Sequence, residues 1–317
     1  MPARVLPVDD ALPRVWSGQC RRDQDLTAAE VRQLLALAAD VKRSPGRYRK
    51  ALDGKYVTLL FEKPSLRTRL TFELAVKQLG GDCVVSIGPI AEREPVMDVA
   101  RNLARWTQGI VARVFLQQTV DDLAHFGQVP VVNALSDLYH PCQAFADLQT
   151  LWERFGDPAG RKVVFVGDGN NVAHSLLLNC ARLGVHMTVA TPKGYEPNQN
   201  IFEEARLEGE RTGARIAHAY DPAEAVEGAD AVYTDVWASM GQEKEAEERR
   251  RVFAPYQVNE ALMARAKAGA LFMHCLPAKR GQETVHEVME SAGSAIYDQA
   301  ENRLHAQKAL LLMLLGA

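Results

Sequence analysis

From Tyr56 onward the chain repeats one pattern: a short apolar run, a polar turn, then a segment with apolar residues at helical spacing. The apolar runs are Tyr56–Leu60, Cys83–Ile87, Ile110–Phe115 and Val129–Leu135. After these come Val163–Val166, Met187–Ala190, Arg215–Ala219, Ala231–Thr234, Ala270–His274 and Ala295–Tyr297. Helices are predicted over Leu70–Val76, Val96–Trp106, Thr119–Phe126, from Gln143 to Phe155, over Val172–Leu183 and Asn198–Arg211, and from Glu301 to Leu315. A further helix precedes the first strand. There Thr27 and Glu30 have capping-box spacing, and Val31, Leu34, Leu35 and Ala38 follow at helical period. Alternation of this kind predicts an α/β protein with two doubly wound domains, each a mainly parallel sheet with helices on both faces. Gly156-Asp157-Pro158-Ala159-Gly160 is the candidate linker, which sets domains at 1–150 and 151–300.

The length of 317 residues suits about two domains. Hydrophobic content of 47% with 24% charged residues describes an ordinary globular protein. A net charge of −3 argues against nucleic acid as partner, since such binders carry a basic excess. No run of about 18 apolar residues predicts a membrane span, and Met1–Asp10 lacks the apolar core of a secretion signal. The five cysteines are odd in number and scattered, with neither a CxxC nor a His/Cys spacing for zinc. Reduced cytoplasmic thiols, no metal and no cofactor are the expectation.

In doubly wound folds, ligands sit at the carboxyl ends of strands. Six polar clusters fall at such ends: Ser65–Arg69, Arg113, His140–Gln143, Asp168–Asn171, Asp235–Gln242 and His274–Pro277. In the first, Ser65 stands at the N-cap of a helix, with Arg67, Thr68 and Arg69 beside it. Unpaired N–H groups, the partial positive charge of the helix end and two guanidiniums make an anion site, with phosphate the usual anion. A capped helix with solvated arginines is the plainer alternative. Arg113 lies in an apolar strand, where a buried guanidinium calls for an anion. His140 and Gln143 have donors suited to a carbonyl, and His140 is held extended by Pro141.

Gly167-Asp168-Gly169-Asn170-Asn171 invites a dinucleotide reading. The third glycine position is Val172, however, and the strand ending at Ala190 is followed by no acidic residue for a ribose. The two asparagines suit a small polar ligand such as a carboxylate, or simple helix capping. Asp235 is a partner for an ammonium group, or a turn residue. The charged run Lys244–Arg251 reads as a solvated helix face. Cys275, beside His274, is a proton acceptor or nucleophile, or an inert buried thiol.

Together these motifs resemble the ornithine carbamoyltransferases over nearly the whole chain. Phe61-Glu62-Lys63-Pro64-Ser65-Leu66-Arg67-Thr68-Arg69 is similar to the family's carbamoyl-phosphate signature, S-T-R-T-R, with Leu66 in place of its first Thr. His140-Pro141-Cys142-Gln143 resembles the second carbamoyl-phosphate motif. Asp235-Val236-Trp237-Ala238-Ser239-Met240-Gly241 and His274-Cys275-Leu276-Pro277 resemble the motifs that mark ornithine rather than aspartate as acceptor. Ala300-Glu301-Asn302-Arg303 with Leu304–Lys308 resembles the C-terminal signature.

The resemblance implies that Ser65, Leu66, Arg67 and Thr68 hold phosphate, and that Arg113, His140, Gln143 and Arg303 complete the carbamoyl-phosphate site. Cys275 and Leu276 flank the reaction centre, with catalytic roles for Arg113, His140 and Cys275. Asn171, Asp235, Ser239 and Met240 bind L-ornithine. It further implies a homotrimer or a multiple of trimers, and a last helix, 301–317, that packs back on the first domain. The neighbour's loop that reaches the phosphate site would be Ala91–Pro95, which matches the family too loosely for a role. The reaction implied is carbamoyl phosphate plus L-ornithine giving L-citrulline and phosphate, with the δ-proton passing to Cys275 or to the leaving phosphate. A carbamoyltransferase for putrescine, N-acylated ornithine or aspartate, and a non-catalytic carbamoyl-phosphate binder, are the competing readings.

Overall fold

The computed structural model describes residues 12–238 and 245–316. The chain forms two compact units. One holds the residues up to Gln149 together with those from Glu301 onward, and the other is Thr150–Ala300.

In the first unit, α1 (Ala28–Arg43) opens with the capping box read from the sequence: Thr27 accepts from the Glu30 N–H, and the Glu30 carboxylate accepts from the Thr27 N–H at 2.7 Å. The pair satisfies two N–H groups the helix cannot. β1 (Tyr56–Phe61), α2 (Leu66–Gln78), β2 (Asp82–Ile87), α3 (Val96–Trp106), β3 (Gly109–Arg113), α4 (Gln117–Gly127), β4 (Val131–Leu135) and α5 (Pro141–Phe155) follow. The sheet order is β2-β1-β3-β4, all parallel. From β1 the chain winds outward through β2, then returns to the other side of β1 for β3 and β4. Parallel crossovers are right-handed as a rule, so winding in both directions is expected to place helices on opposite faces. The inner strands β1 and β3 are buried almost throughout, whereas edge strand β2 alternates between half-buried and exposed. The free edge of β4 is covered by the segment before α1, where the Cys20 N–H donates to the Val131 carbonyl at 2.9 Å and the Asn133 N–H to the Cys20 carbonyl at 2.8 Å. A covered edge cannot pair with another chain.

The second unit repeats the scheme with β5 (Lys162–Val166), α6 (Asn171–Leu183), β6 (His186–Ala190), α7 (Gln199–Thr212), β7 (Ile216–Ala219), α8 (Pro222–Ala225), β8 (Ala231–Thr234), α9 (Ala246–Phe253), α10 (Glu260–Met263), β9 (Leu271–His274), α11 (His286–Met289) and the start of α12 (Ile296–Leu315). Its order is β7-β6-β5-β8-β9, again all parallel. The core of this sheet includes Phe165 stacked on Tyr233, ring centres 5.3 Å apart. No helix among the described residues is long and apolar enough to cross a membrane.

The structure corrects one predicted strand. Ala295–Tyr297 is not a strand. The Ala295 N–H donates to the Phe272 carbonyl at 2.9 Å, but the Ala295 carbonyl already accepts from the Gln299 N–H, so the backbone turns into α12 after a single bridge at Ser294. The helix thus starts before Glu301. After Ile296, its next inward positions are Gln299, Asn302 and Arg303, polar residues that hide a helical pattern based on apolar ones. Gly156–Gly160 is the turn between α5 and β5, while the boundary between the units falls within α5.

Candidate active site

The point at which a doubly wound sheet reverses direction leaves a crevice at the strands' carboxyl ends. In the first unit that point lies between β1 and β3. β1 leads into the Ser65–Thr68 turn, and β3 ends on Arg113. Ser65 occupies the N-cap position of α2 with extended backbone (φ −154°, ψ 113°), yet its side chain makes no capping hydrogen bond. This corrects the capped-helix alternative. No acidic residue lies in the first turn either, so the positive end of α2 is not neutralised from within the helix. Leu66 is 69% exposed, and as the first residue of α2 its N–H has no partner within the helix.

Thr68 is buried, and its Oγ1 accepts from Arg303 Nη2 at 2.6 Å. That leaves the hydroxyl proton to donate elsewhere. Arg113, His140, Gln143 and Arg303 are all buried. His140 is pushed well below the ordinary imidazole range, first by burial and then by the guanidinium charges of Arg303 and Arg113. It is therefore neutral at physiological pH, with one N–H to donate. Gln143 stands on the first turn of α5, where its N–H donates to the His140 carbonyl at 3.0 Å, and its Nε2 donates to Asp147 at 2.8 Å. Neutral and cationic donors around an uncapped helix start can bind an anion and polarise a carbonyl.

In the second unit the reversal lies between β5 and β8. There Asp168–Asn171 and Asp235 stand at the strand ends, with Cys275 beyond neighbouring β9. Asp235 is buried and organises this corner. Its Oδ1 accepts from Cys275 Sγ at 2.9 Å and from the Val236 N–H at 2.8 Å, and its Oδ2 accepts from Asn170 Nδ2 at 2.9 Å. Asn170 also caps α6, accepting from the Val172 and Ala173 N–H groups at 3.0 and 3.2 Å. The two asparagines are thus distinct: Asn170 is the cap and Asn171 the first helical residue.

Leu276 holds a left-handed backbone (φ 57°) and is followed by a cis peptide to Pro277. A branched residue in that region costs roughly 1–2 kcal/mol. Hydrogen bonds hold it there: the Leu276 N–H donates to His274 Nδ1 at 2.8 Å, and His274 Nε2 donates to Glu283 Oε1 at 3.2 Å. Asp235, His274 and Cys275 each bring one atom within 4.8 Å of the others, the reach of a metal site. Both nitrogens of His274 are already engaged in this network.

Gly169 explains why the glycine-rich turn is not a dinucleotide site. Its N–H donates to the Tyr195 carbonyl at 2.9 Å, and a Cβ built on it would meet Pro197 N at 2.3 Å. The close approach that such a glycine provides to a pyrophosphate is taken up by the chain's own Tyr195–Asn198 segment.

Arg249 corrects the reading of a fully solvated charged helix. It is buried on α9 and donates to Asp168 Oδ2 at 2.7 Å and to the Trp237 carbonyl at 2.9 Å, with Glu245 at 3.1 Å. Burial raises the Asp168 pKa, and Arg249 opposes that rise. Asn170, Arg249 and Glu283 were not among the expected site residues. Asn170 lies in the Asp168–Asn171 cluster, where its type suits either a small polar ligand or a helix cap, and nothing local distinguishes the other two from surface charges. Ser239 and Met240 lie outside the described residues.

Two parallel sheets, each with polar clusters at its reversal point, define an α/β ligand-binding protein of two units. Comparison with known proteins narrows this. The model of the aspartate/ornithine carbamoyltransferase carbamoyl-P binding domain matches residues 20–153, and that of the Asp/Orn binding domain matches residues 159–314. The anabolic ornithine carbamoyltransferase of Pyrococcus furiosus is 48% identical over 298 residues, covering 92% of this chain and 95% of that protein. The ornithine carbamoyltransferase of Hyperthermus butylicus is 50% identical over 300 residues, covering 92% and 96%. Among solved structures, that of the Pyrococcus furiosus ornithine carbamoyltransferase superposes with a TM-score of 0.92 at 46% identity, covering 97% of this chain and 99% of that one. An acetylornithine transcarbamylase complexed with acetylcitrulline follows at TM-score 0.85 and 31% identity, covering 94% and 99%. The chain belongs to the aspartate/ornithine carbamoyltransferase family.

Proposed function

We propose that this protein transfers the carbamoyl group of carbamoyl phosphate to the δ-amine of L-ornithine, releasing L-citrulline and phosphate, as a step of arginine biosynthesis. The observation that carries the choice of acceptor is the buried Asp235 carboxylate, held by Asn170 and Cys275. A free amino acid presents an α-ammonium that calls for an anionic partner, whereas an N-acylated one does not. The similarity to ornithine carbamoyltransferases near 50% identity supports the same choice.

On this reading Ser65, Leu66 through its N–H, Arg67 and Thr68 bind the phosphate, and the helix end stabilises it as it leaves. Arg113, neutral His140, Gln143 and Arg303 take the carbamoyl end. Charge develops on the carbonyl oxygen in the tetrahedral transition state, where each donor is worth about 10²–10³ in turnover. Asn171, Asp235, Ser239 and Met240 take the amino-acid end of ornithine, with Cys275 and Leu276 beside the reacting amine. An alkyl amine has a pKa of about 10.4, so the site must select or generate the neutral form. Cys275 donates its S–H to Asp235, so its first role is to orient that carboxylate.

The rate at which each amine is converted to its own carbamoylated product by carbamoyl phosphate, measured with ornithine, N-acetylornithine, putrescine and aspartate, tests the reading. Ornithine is expected to be the efficient acceptor, and a preference for any other amine would overturn it. In the same assay Cys275→Ser keeps a donor to Asp235. Its KM for ornithine is expected to change by no more than about 3-fold, because the hydrogen bond to Asp235 is kept, with turnover retained. Abolished turnover would instead assign Cys275 as the proton acceptor.

The proposal extends to a homotrimer, or a multiple of trimers, in the cytoplasm. Leu66, Leu70 and Leu74 line one exposed face of α2, and edge strand β2 exposes Val84 and Ile87. An apolar surface of this kind suits contact with another copy. The free thiols at all five cysteines suit a reducing compartment.

A further inference from the structure

Glu62 stands at the carboxyl end of β1, three residues before Ser65, where a negative charge beside an anion site needs a reason. Its backbone extends the sheet by one bond, the Glu62 N–H donating to the Arg113 carbonyl at 2.9 Å. Its side chain then reaches both neighbours of β1. Oε1 accepts from the Ile90 N–H at 3.2 Å, in the loop that leaves β2, and Oε2 accepts from the Phe115 N–H at 2.9 Å, two residues beyond Arg113. The adjacent Lys63 ammonium lies over the Phe115 ring, 4.3 Å from its centre, and closes the same corner. Parallel strands end side by side, but nothing in the sheet ladder holds their exit loops in register. One carboxylate therefore ties three exits at the reversal point: the turn into α2, the loop after β2 and the loop after β3.

We infer that Glu62 is a positioning residue for the donor site: by holding the Ile90 and Phe115 N–H groups it sets the Ser65–Thr68 turn against Arg113. This rests on the carbamoyl-phosphate reading of that turn. Both carboxylate oxygens are directed at backbone N–H groups, which spends the negative charge on the scaffold rather than on the anion. A displacement of about 1 Å between groups that share one substrate costs on the order of 100-fold.

The test uses full-length Glu62→Ala and Glu62→Gln, with two readouts. The first is KM for each substrate and kcat, and the second is the Kd for inorganic phosphate by calorimetry. Glu62→Ala is expected to raise KM for carbamoyl phosphate and Kd for phosphate about 10- to 100-fold, with KM for ornithine within about 2-fold. Glu62→Gln keeps one acceptor oxygen and should fall between Ala and the wild type. It also carries the test if the Ala variant fails to fold. A residue that merely supported folding would lower the active fraction and kcat, leaving KM for carbamoyl phosphate and phosphate affinity unchanged. That outcome in both variants would overturn the inference. If the wild-type protein itself bound no phosphate, the donor-site reading would fall instead, so the two failures are distinguishable.

Discussion

His140 is neutral because the protein makes it so. Burial, then the charges of Arg303 and Arg113, depress its pKa well below the ordinary value. The unfolded chain takes up that proton near pH 6.5, while the folded chain does not. The resulting stability is complete above about pH 6.5 and is lost as pH falls towards the folded pKa, at up to about 1.4 kcal/mol per pH unit. His218 and His305 are depressed as well, also chiefly by burial, so the wild-type curve alone does not isolate His140. His140→Gln does. The variant is expected to lose less melting temperature than the wild type between pH 7 and pH 5, and parallel curves would refute the assignment. Arg249 carries the opposite lesson at the same scale. In a run of charges it reads as solvated, and only the packing of α9 against Asp168 and the Trp237 carbonyl reveals that it is buried.

Among the elements, α2 does most for the proposed chemistry, and its backbone does more than its side chains suggest. Its start has neither a side-chain cap nor an acid in the first turn. Leu66 has no hydroxyl to offer, but its exposed side chain leaves its N–H where any residue would place it. Leu66→Thr is therefore expected to change phosphate Kd by no more than about 2-fold. Arg67→Ala, which removes a charge-assisted hydrogen bond of about 1.5–3 kcal/mol, should weaken it about 10- to 100-fold. Calorimetric titration distinguishes them, and equal losses would mean that the side chain at position 66 matters after all. The strands with consecutive apolar residues were legible because both faces of a parallel strand are buried. Ala295–Tyr297 looked the same over three residues, but strand and helix periods cannot be told apart over so short a run.

At the scale of the whole molecule, the exposed leucines of α2 and the open edge at β2 predict association. Leu70→Glu with Leu74→Glu should reduce the mass measured by light scattering from that of a trimer, or a multiple of one, towards that of the single chain, with the circular dichroism spectrum unchanged. A wild-type protein that already scatters as a single chain would remove the basis for the trimer.

Local sequence was enough for the alternation of strands and helices, the two-sheet plan and the polar clusters at strand ends. Those depend on hydrophobic period, capping and turn chemistry, each written within a few neighbouring residues. Strand order was not local. Only the tertiary structure placed β3 against β1 and β8 against β5, and so made Ser65–Thr68 and Arg113 neighbours in one unit and Asn170, Asp235 and Cys275 neighbours in the other. It also decided which charges are buried, because burial is set by what another element brings to the same place. Glu62, Arg249 and Glu283 are ordinary surface residues by type. The hydrogen bonds that give them roles are made to backbone or side-chain groups distant enough in the chain that no local pattern announces them.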